Sequence, residues 1–129
     1  SHGDSLAAEI LGRYINDNLS NALIIESPKN GLPAAPIEAP RNALKLRYEP
    51  DRKELWIPAH ELRSYLVEHQ VDVRQTIKGL LSLKIIKNDG RAIAKRIAAG
   101  SIGSMSVPSV RSYCFDSDAV GMANAIETS

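Results

Sequence analysis

The sequence predicts a single α+β domain, and three observations carry that prediction. Apolar residues recur at spacings of three and four over 4–18, 59–69 and 73–83, the period of a helix with one buried face. They alternate with polar ones over 44–49, and alternation returns over 110–115, the period of a half-buried strand. Turn-forming residues separate these segments. At 129 residues, 43% hydrophobic and 24% charged, the chain matches an ordinary soluble domain with one core.

Taken in order, 4–18 reads as a helix with a stripe of Leu6, Ala7, Ile10, Leu11 and Tyr14, capped by Asp4 or Ser5. Ala22 to Glu26 is a short run rich in β-branched residues, hence a strand. Residues 28–42 hold Pro28, Pro33, Pro36 and Pro40. Each removes an amide donor and fixes φ, so the segment reads as a surface loop without regular structure. A hairpin follows. Leu44, Leu46 and Tyr48 alternate with Lys45, Arg47 and Glu49; Pro50-Asp51-Arg52-Lys53 turns the chain; Leu55-Trp56-Ile57 returns it, up to Pro58. Leu55 and Ile57 share the buried side, and Trp56 points the other way, either under the helices or out to a partner.

Residues 59–69 place Leu62, Tyr65 and Leu66 on one helical face. Asp72 and Gln75 have capping-box spacing at the start of a second helix, 73–83. Its core side is expected to hold Val73, Ile77, Leu80 and Leu81, its outer side Arg74 and Lys78. Gly79 lowers helix propensity by about 1 kcal/mol relative to Ala and points to a close helix crossing. Lys84-Ile85-Ile86 reads as a strand start, Asp89-Gly90 as a turn, and Ala92 to Ile97 as its antiparallel return. Gly100 to Pro108 is small and flexible in composition. Val110 to Phe115 is a final strand. The domain is therefore expected over 4–116, with 117–129 a flexible acidic tail or short terminal helix.

Charge is distributed unevenly. Between positions 74 and 111 eight bases, Arg74, Lys78, Lys84, Lys87, Arg91, Lys95, Arg96 and Arg111, stand against one acid, Asp89, a net +7. Residues 1–73 and 112–129 are each net −3, so the formal +1 of the whole chain conceals the segregation. Lysine and arginine neutralise phosphates and release counterions, so the block is a candidate nucleic-acid surface comprising all eight residues. A solvated face on an ordinary domain is the plainer alternative. Gln75 and Ser82 lie where they can reach base edges, without any pattern that demands it.

Other chemistry finds little support. His2, His60 and His69 stand apart, and no Cys or His pair has metal-ligand spacing, so no metal or cofactor is expected. His60 falls at a helix start and His69 near a helix end. Cys114, the single cysteine, excludes an internal disulfide framework, fits a reducing, cytoplasmic setting, and reads as a buried inert thiol. Ser104 and Ser106 have no His and Asp arranged nearby. Gly100-Ser101-Ile102-Gly103 has the spacing of a KH backbone clamp, but the surrounding elements do not fit that fold, and it lacks the G-K-[ST] ending of a P-loop. No apolar run approaches the roughly 20 residues of a membrane helix, and the start lacks a signal-peptide pattern. Ser1-His2 reads as a cloning remnant on an excised domain or processed chain. The expectation is a non-enzyme.

The order helix, strand, loop, hairpin, helix, helix, hairpin-like segment, strand contains a helix pair followed by a β-hairpin. That is the layout of a winged helix-turn-helix with an extra N-terminal helix. Residues 73–83 become the recognition helix and Asp89-Gly90 the wing tip.

Several segments also resemble a family. Ala39-Pro40-Arg41-Asn42, Leu46-Arg47-Tyr48-Glu49-Pro50-Asp51, Leu55-Trp56-Ile57-Pro58, Lys95-Arg96-Ile97 with Gly100, and Val107-Pro108-Ser109-Val110 leading into Phe115-Asp116 are similar to the C-terminal region of phage and mobile-element replication proteins of the primase–helicase type. The family's E-P-R is replaced here by Ala39-Pro40-Arg41, with Glu38 shifted by one. The likeness covers roughly residues 5–116, and its motifs are turns and strand ends. It implies a winged-helix-like accessory domain that holds duplex or forked DNA beside attached helicase or primase domains, with Lys95 and Arg96 as phosphate contacts. The ATPase and primase motifs of that family are absent from this chain. The alternative expectation is a protein-interaction or oligomerisation module without DNA affinity, using the proline-rich loop and Trp56.

Overall fold

The computed structural model describes residues 2–100 and 107–128. Helix α1, His2–Asn18, starts two residues before the expected caps, which puts Asp4 inside its first turn. Of the expected stripe, Ala7, Ile10, Leu11 and Tyr14 are buried, joined by Ile15, whereas Leu6 is exposed; the Tyr14 hydroxyl donates to the Lys45 carbonyl at 2.8 Å. The chain then forms β1 (Ala22–Glu26), β2 (Ala35–Glu38), β3 (Leu46–Glu49), β4 (Glu54–Pro58), α2 (Ala59–Glu68), α3 (Val73–Ser82), β5 (Ile93–Lys95), β6 (Val110–Asp116) and α4 (Met122–Thr128). The architecture is α+β, with four helices and one six-stranded mixed sheet among the described residues. Strand order is β2-β1-β3-β4-β6-β5; β1 and β3 are parallel, and every other neighbouring pair is antiparallel.

Strand alternation sorts the core onto two faces. Ile24, Leu46, Tyr48, Leu55, Ile57, Tyr113 and Phe115 pack with Leu11, Leu62, Leu66 and Leu80 on the helix side. Burying each such side chain contributes about 1.5–3 kcal/mol. Gly79 lets α3 approach α1: a Cβ there would lie 2.9 Å from the Ala7 Cβ and 3.3 Å from the Asp4 Cα, closer than packed atoms tolerate.

The other face of the sheet is also covered. Trp56 packs there with Ile97 and Cys114, so it lies neither under the helices nor out in solvent. Arg47 and Glu49, from the polar side of the hairpin, are buried beside it. Arg47 Nε meets Glu49 Oε2 at 2.7 Å, and its Nη1 donates to the carbonyls of Ile97 (3.0 Å) and Ala99 (2.6 Å). The pair thereby fastens the start of the β5–β6 connection to the sheet.

Four expectations need correction. The proline-rich segment contains a strand, β2. It sits at the sheet edge, where a proline's missing donor costs least, and Pro36 faces Ile25 across the ladder. Residues 84–86 and 92–97 do not pair with each other. Ile86 bridges to Phe115 and Ile93 pairs with Ser112, so both run along β6, and Asp89-Gly90 bulges between them with Asn88 and Asp89 at positive φ. The hairpin is β5 with β6, because β6 offers a longer partner than 84–86 does. On α3, Thr76, Gly79 and Leu80 are buried, while Leu81 is 42% exposed. Leu81, the ninth residue of α3, lies about 100° round the helix from Leu80 and further from Thr76, so it falls at the rim when α1 covers the Gly79 side. Of the two expectations for the segment after Asp116, the short terminal helix forms and the flexible tail does not: α4 docks through Met122, which is fully buried, supported by Val120 and Ile126. The Gly100–Pro108 stretch falls largely on 101–106, outside the described residues, as does most of the G-x-x-G match.

Candidate nucleic-acid interface

The candidate surface is built on α2, α3 and β6. Asp72 caps α3, its Oδ1 accepting from the Gln75 amide at 2.8 Å, which fixes where the helical register begins. That register puts Arg74 and Lys78 one turn apart, both exposed and without an ion pair among the described residues. Val73, Ile77 and Leu81 form the adjoining row. From α2, Arg63 reaches across to β6: its Nε donates to the Tyr113 hydroxyl at 3.1 Å and its guanidinium lies 5.6 Å from the ring centre. Tyr113 itself is buried on the helix side of the sheet.

These side chains, with Gly90, line one open groove. Among the described residues, three cations, Arg63, Arg74 and Lys78, face it and no acid does. Arg111 lies two residues before Tyr113 on the same sheet face, exposed, with its Nη1 3.2 Å from the Ala92 carbonyl oxygen. Arg91 is exposed at the rim of the bulge, 3.6 Å from Asp89. The sequence block thus gives the groove Arg74 and Lys78, with Arg111 on the adjoining strand.

The remaining bases lie elsewhere. Lys84 is exposed in left-handed conformation just after α3, and Arg96 is exposed just after β5. Lys87 is half-buried at the β6 edge, its amide bonded to the Cys114 carbonyl at 2.8 Å. Lys95 is on the opposite face of the sheet. Its ammonium sits 3.1 Å from Glu49 Oε2 and 4.7 Å from the centre of the Trp56 ring. Burial pushes the Glu49 carboxyl up, but hydrogen bonds from Arg47 and Lys95, and their charges, hold it below the usual carboxylate range. Lys95 is thereby committed to an internal ion cluster. The sheet divides the eight bases, and Lys95 shares no surface with Arg74 and Lys78.

Arg63 is the member that sequence reasoning missed, since it falls outside the basic block. Its place on α2 flanking the Leu62–Leu66 stripe was the available signal; its meeting with Tyr113, fifty residues away, was not. His60 and His69 occupy the start and end of α2 as expected, His69 stacked on Tyr65 at 4.1 Å. Cys114 is buried, and burial, with Glu54 nearby, pushes its thiol up to about 12. Among the described residues no cluster of three or more His, Cys, Asp or Glu could hold a metal ion, and no helix is long and apolar enough to cross a membrane. Comparison with protein-family models, curated proteins and solved structures finds no match.

Proposed function

We propose that this chain is a non-catalytic nucleic-acid-binding domain whose contact surface is the groove between α3, α2 and β6. The observation that carries the reading is the convergence of Arg63, Arg74 and Lys78 on one groove with no acid among its lining residues. Cations gathered in this way attract a polyanion through counterion release, an affinity that needs no base recognition. The α2–α3 pair followed by the antiparallel β5–β6 supports a winged-helix-like arrangement, with α3 as the presented helix and the β5–β6 pair in the place of the wing strands. The resemblance to phage and mobile-element replication proteins extends this to a cytoplasmic accessory role. In that role the domain holds DNA while attached helicase or primase domains act.

The test is a salt titration of DNA binding by the Arg74→Ala/Lys78→Ala double variant. Removing two phosphate contacts should lower the slope of log K against log salt by about 2. Unchanged affinity and slope would discard the groove as the binding surface. A second reading, a protein-interaction module, is favoured by edge strand β2, where all four residues are exposed and Ile37 is 57% exposed. A stable oligomer in light scattering, without DNA affinity, would support that reading instead.

A further inference from the structure

We infer that the groove takes single-stranded nucleic acid in preference to duplex, with a base lying against Arg63 and the Ile77–Leu81 row and phosphates on Arg74 and Lys78; this rests on the nucleic-acid reading above. The cations of α3 lie beside an apolar row. Val73, Ile77 and Leu81 recur every fourth residue next to Arg74 and Lys78, and Leu81 is left 42% exposed. A duplex keeps its base faces inside its own stack and offers mainly phosphates, so a row of half-buried Val73 and Ile77 and exposed Leu81 gains nothing from it. Unpaired bases supply flat faces that cover such a row while their backbone tracks the cations.

Arg63 strengthens the choice. The Tyr113 hydroxyl occupies its Nε at 3.1 Å and the Tyr113 ring lies beneath it, yet Arg63 remains exposed. An arginine restrained in this way offers its plane, which stacks on a base.

The experiment is fluorescence anisotropy on the full chain, using one labelled oligonucleotide as a single strand and as its duplex, at low salt. The single strand should bind about tenfold more tightly, the effect expected of one stacked base. Arg63→Lys keeps the charge and loses the plane, so it should weaken single-strand binding about fivefold and duplex binding less than about twofold. Tyr113→Phe, which releases Nε, should move the single-strand affinity in the same direction. Equal or tighter duplex binding that still falls with Arg74→Ala/Lys78→Ala overturns this inference and leaves the nucleic-acid reading standing. So does equal loss of both forms in Arg63→Lys. Binding of neither form, with capture of a Glu/Leu-rich amphipathic peptide instead, overturns both.

Discussion

Replacing Glu49 should destabilise the protein more than any other single surface-to-core polar change on the hairpin. Its side chain is 3% exposed and lies near three cations: Arg47 at 2.7 Å, Lys95 at 3.1 Å and Arg52 at 3.8 Å. The Arg52 side chain is 56% exposed, so water screens that contact and it contributes well under about 1 kcal/mol. Arg47 is the decisive partner, being 7% exposed and unable to lose its proton. Breaking a buried pair costs about 3–5 kcal/mol, because the remaining charge stays buried. Lys95, at 23% exposed, recovers some hydration, which puts Glu49→Ala near the lower end, about 3 kcal/mol. Glu49→Gln keeps an accepting oxygen and should cost about 2 kcal/mol. Urea unfolding followed by fluorescence of Trp56, the only tryptophan and a neighbour of Lys95, reads the loss. The folded-state pKa of Glu49 is depressed, so its ionised form adds stability above the unfolded value of 4.5. That stability disappears as pH falls through the lower folded value. The gap between wild type and Glu49→Gln should therefore be constant near neutrality and shrink in acid. A gap below about 0.5 kcal/mol at pH 7, or one that acid leaves unchanged, would refute the reasoning.

Three further outcomes follow from the same structure. Gly79→Val sets a branched side chain against the Ala7 Cβ and the Asp4 backbone, so despite better helix propensity it should lower the unfolding midpoint by at least about 2 kcal/mol in equivalent stability. Asp72→Ala removes the cap of α3 and should cost about 1 kcal/mol in denaturant unfolding, with Asp72→Asn largely restoring it. Cys114, with its thiol pushed up to about 12 by burial and Glu54, should resist aromatic disulfide reagents at pH 8 in the native protein and react promptly in urea.

Local signals in the sequence identified the elements that local physics decides. The Ala7-Ile10-Leu11-Tyr14 stripe, the Asp72 cap and the Pro50–Lys53 turn each act within a few residues, and each appears where the pattern places it. The requirement for glycine at position 79 was legible too, as a residue costly to its helix. What was illegible depends on partners distant in the chain. Pro36 reads as a breaker until the strand holding it is known to be an edge. The return of 92–97 looked like a hairpin with 84–86 because nothing near it announces β6. Met122 is one apolar residue among small ones, and only its cavity in the core distinguishes it. For the candidate site, Arg74 and Lys78 followed from helical periodicity. Arg63 and the diversion of Lys95 to Glu49 are products of tertiary packing.

The position of β6 has a consequence for how the protein is made. It is the last of the described strands in sequence, yet it lies between β4 and β5 in the sheet. Until it is synthesised, β4 has a bare edge and β5 has no partner, so two of the six strands wait on residues 110–116. Vectorial folding during translation would therefore stop at α1 and β1–β4, with an open ladder exposed to neighbouring chains. A ribosome-bound chain halted before Val110 should be held by chaperones and sensitive to proteases, and become resistant only once Asp116 has cleared the exit tunnel.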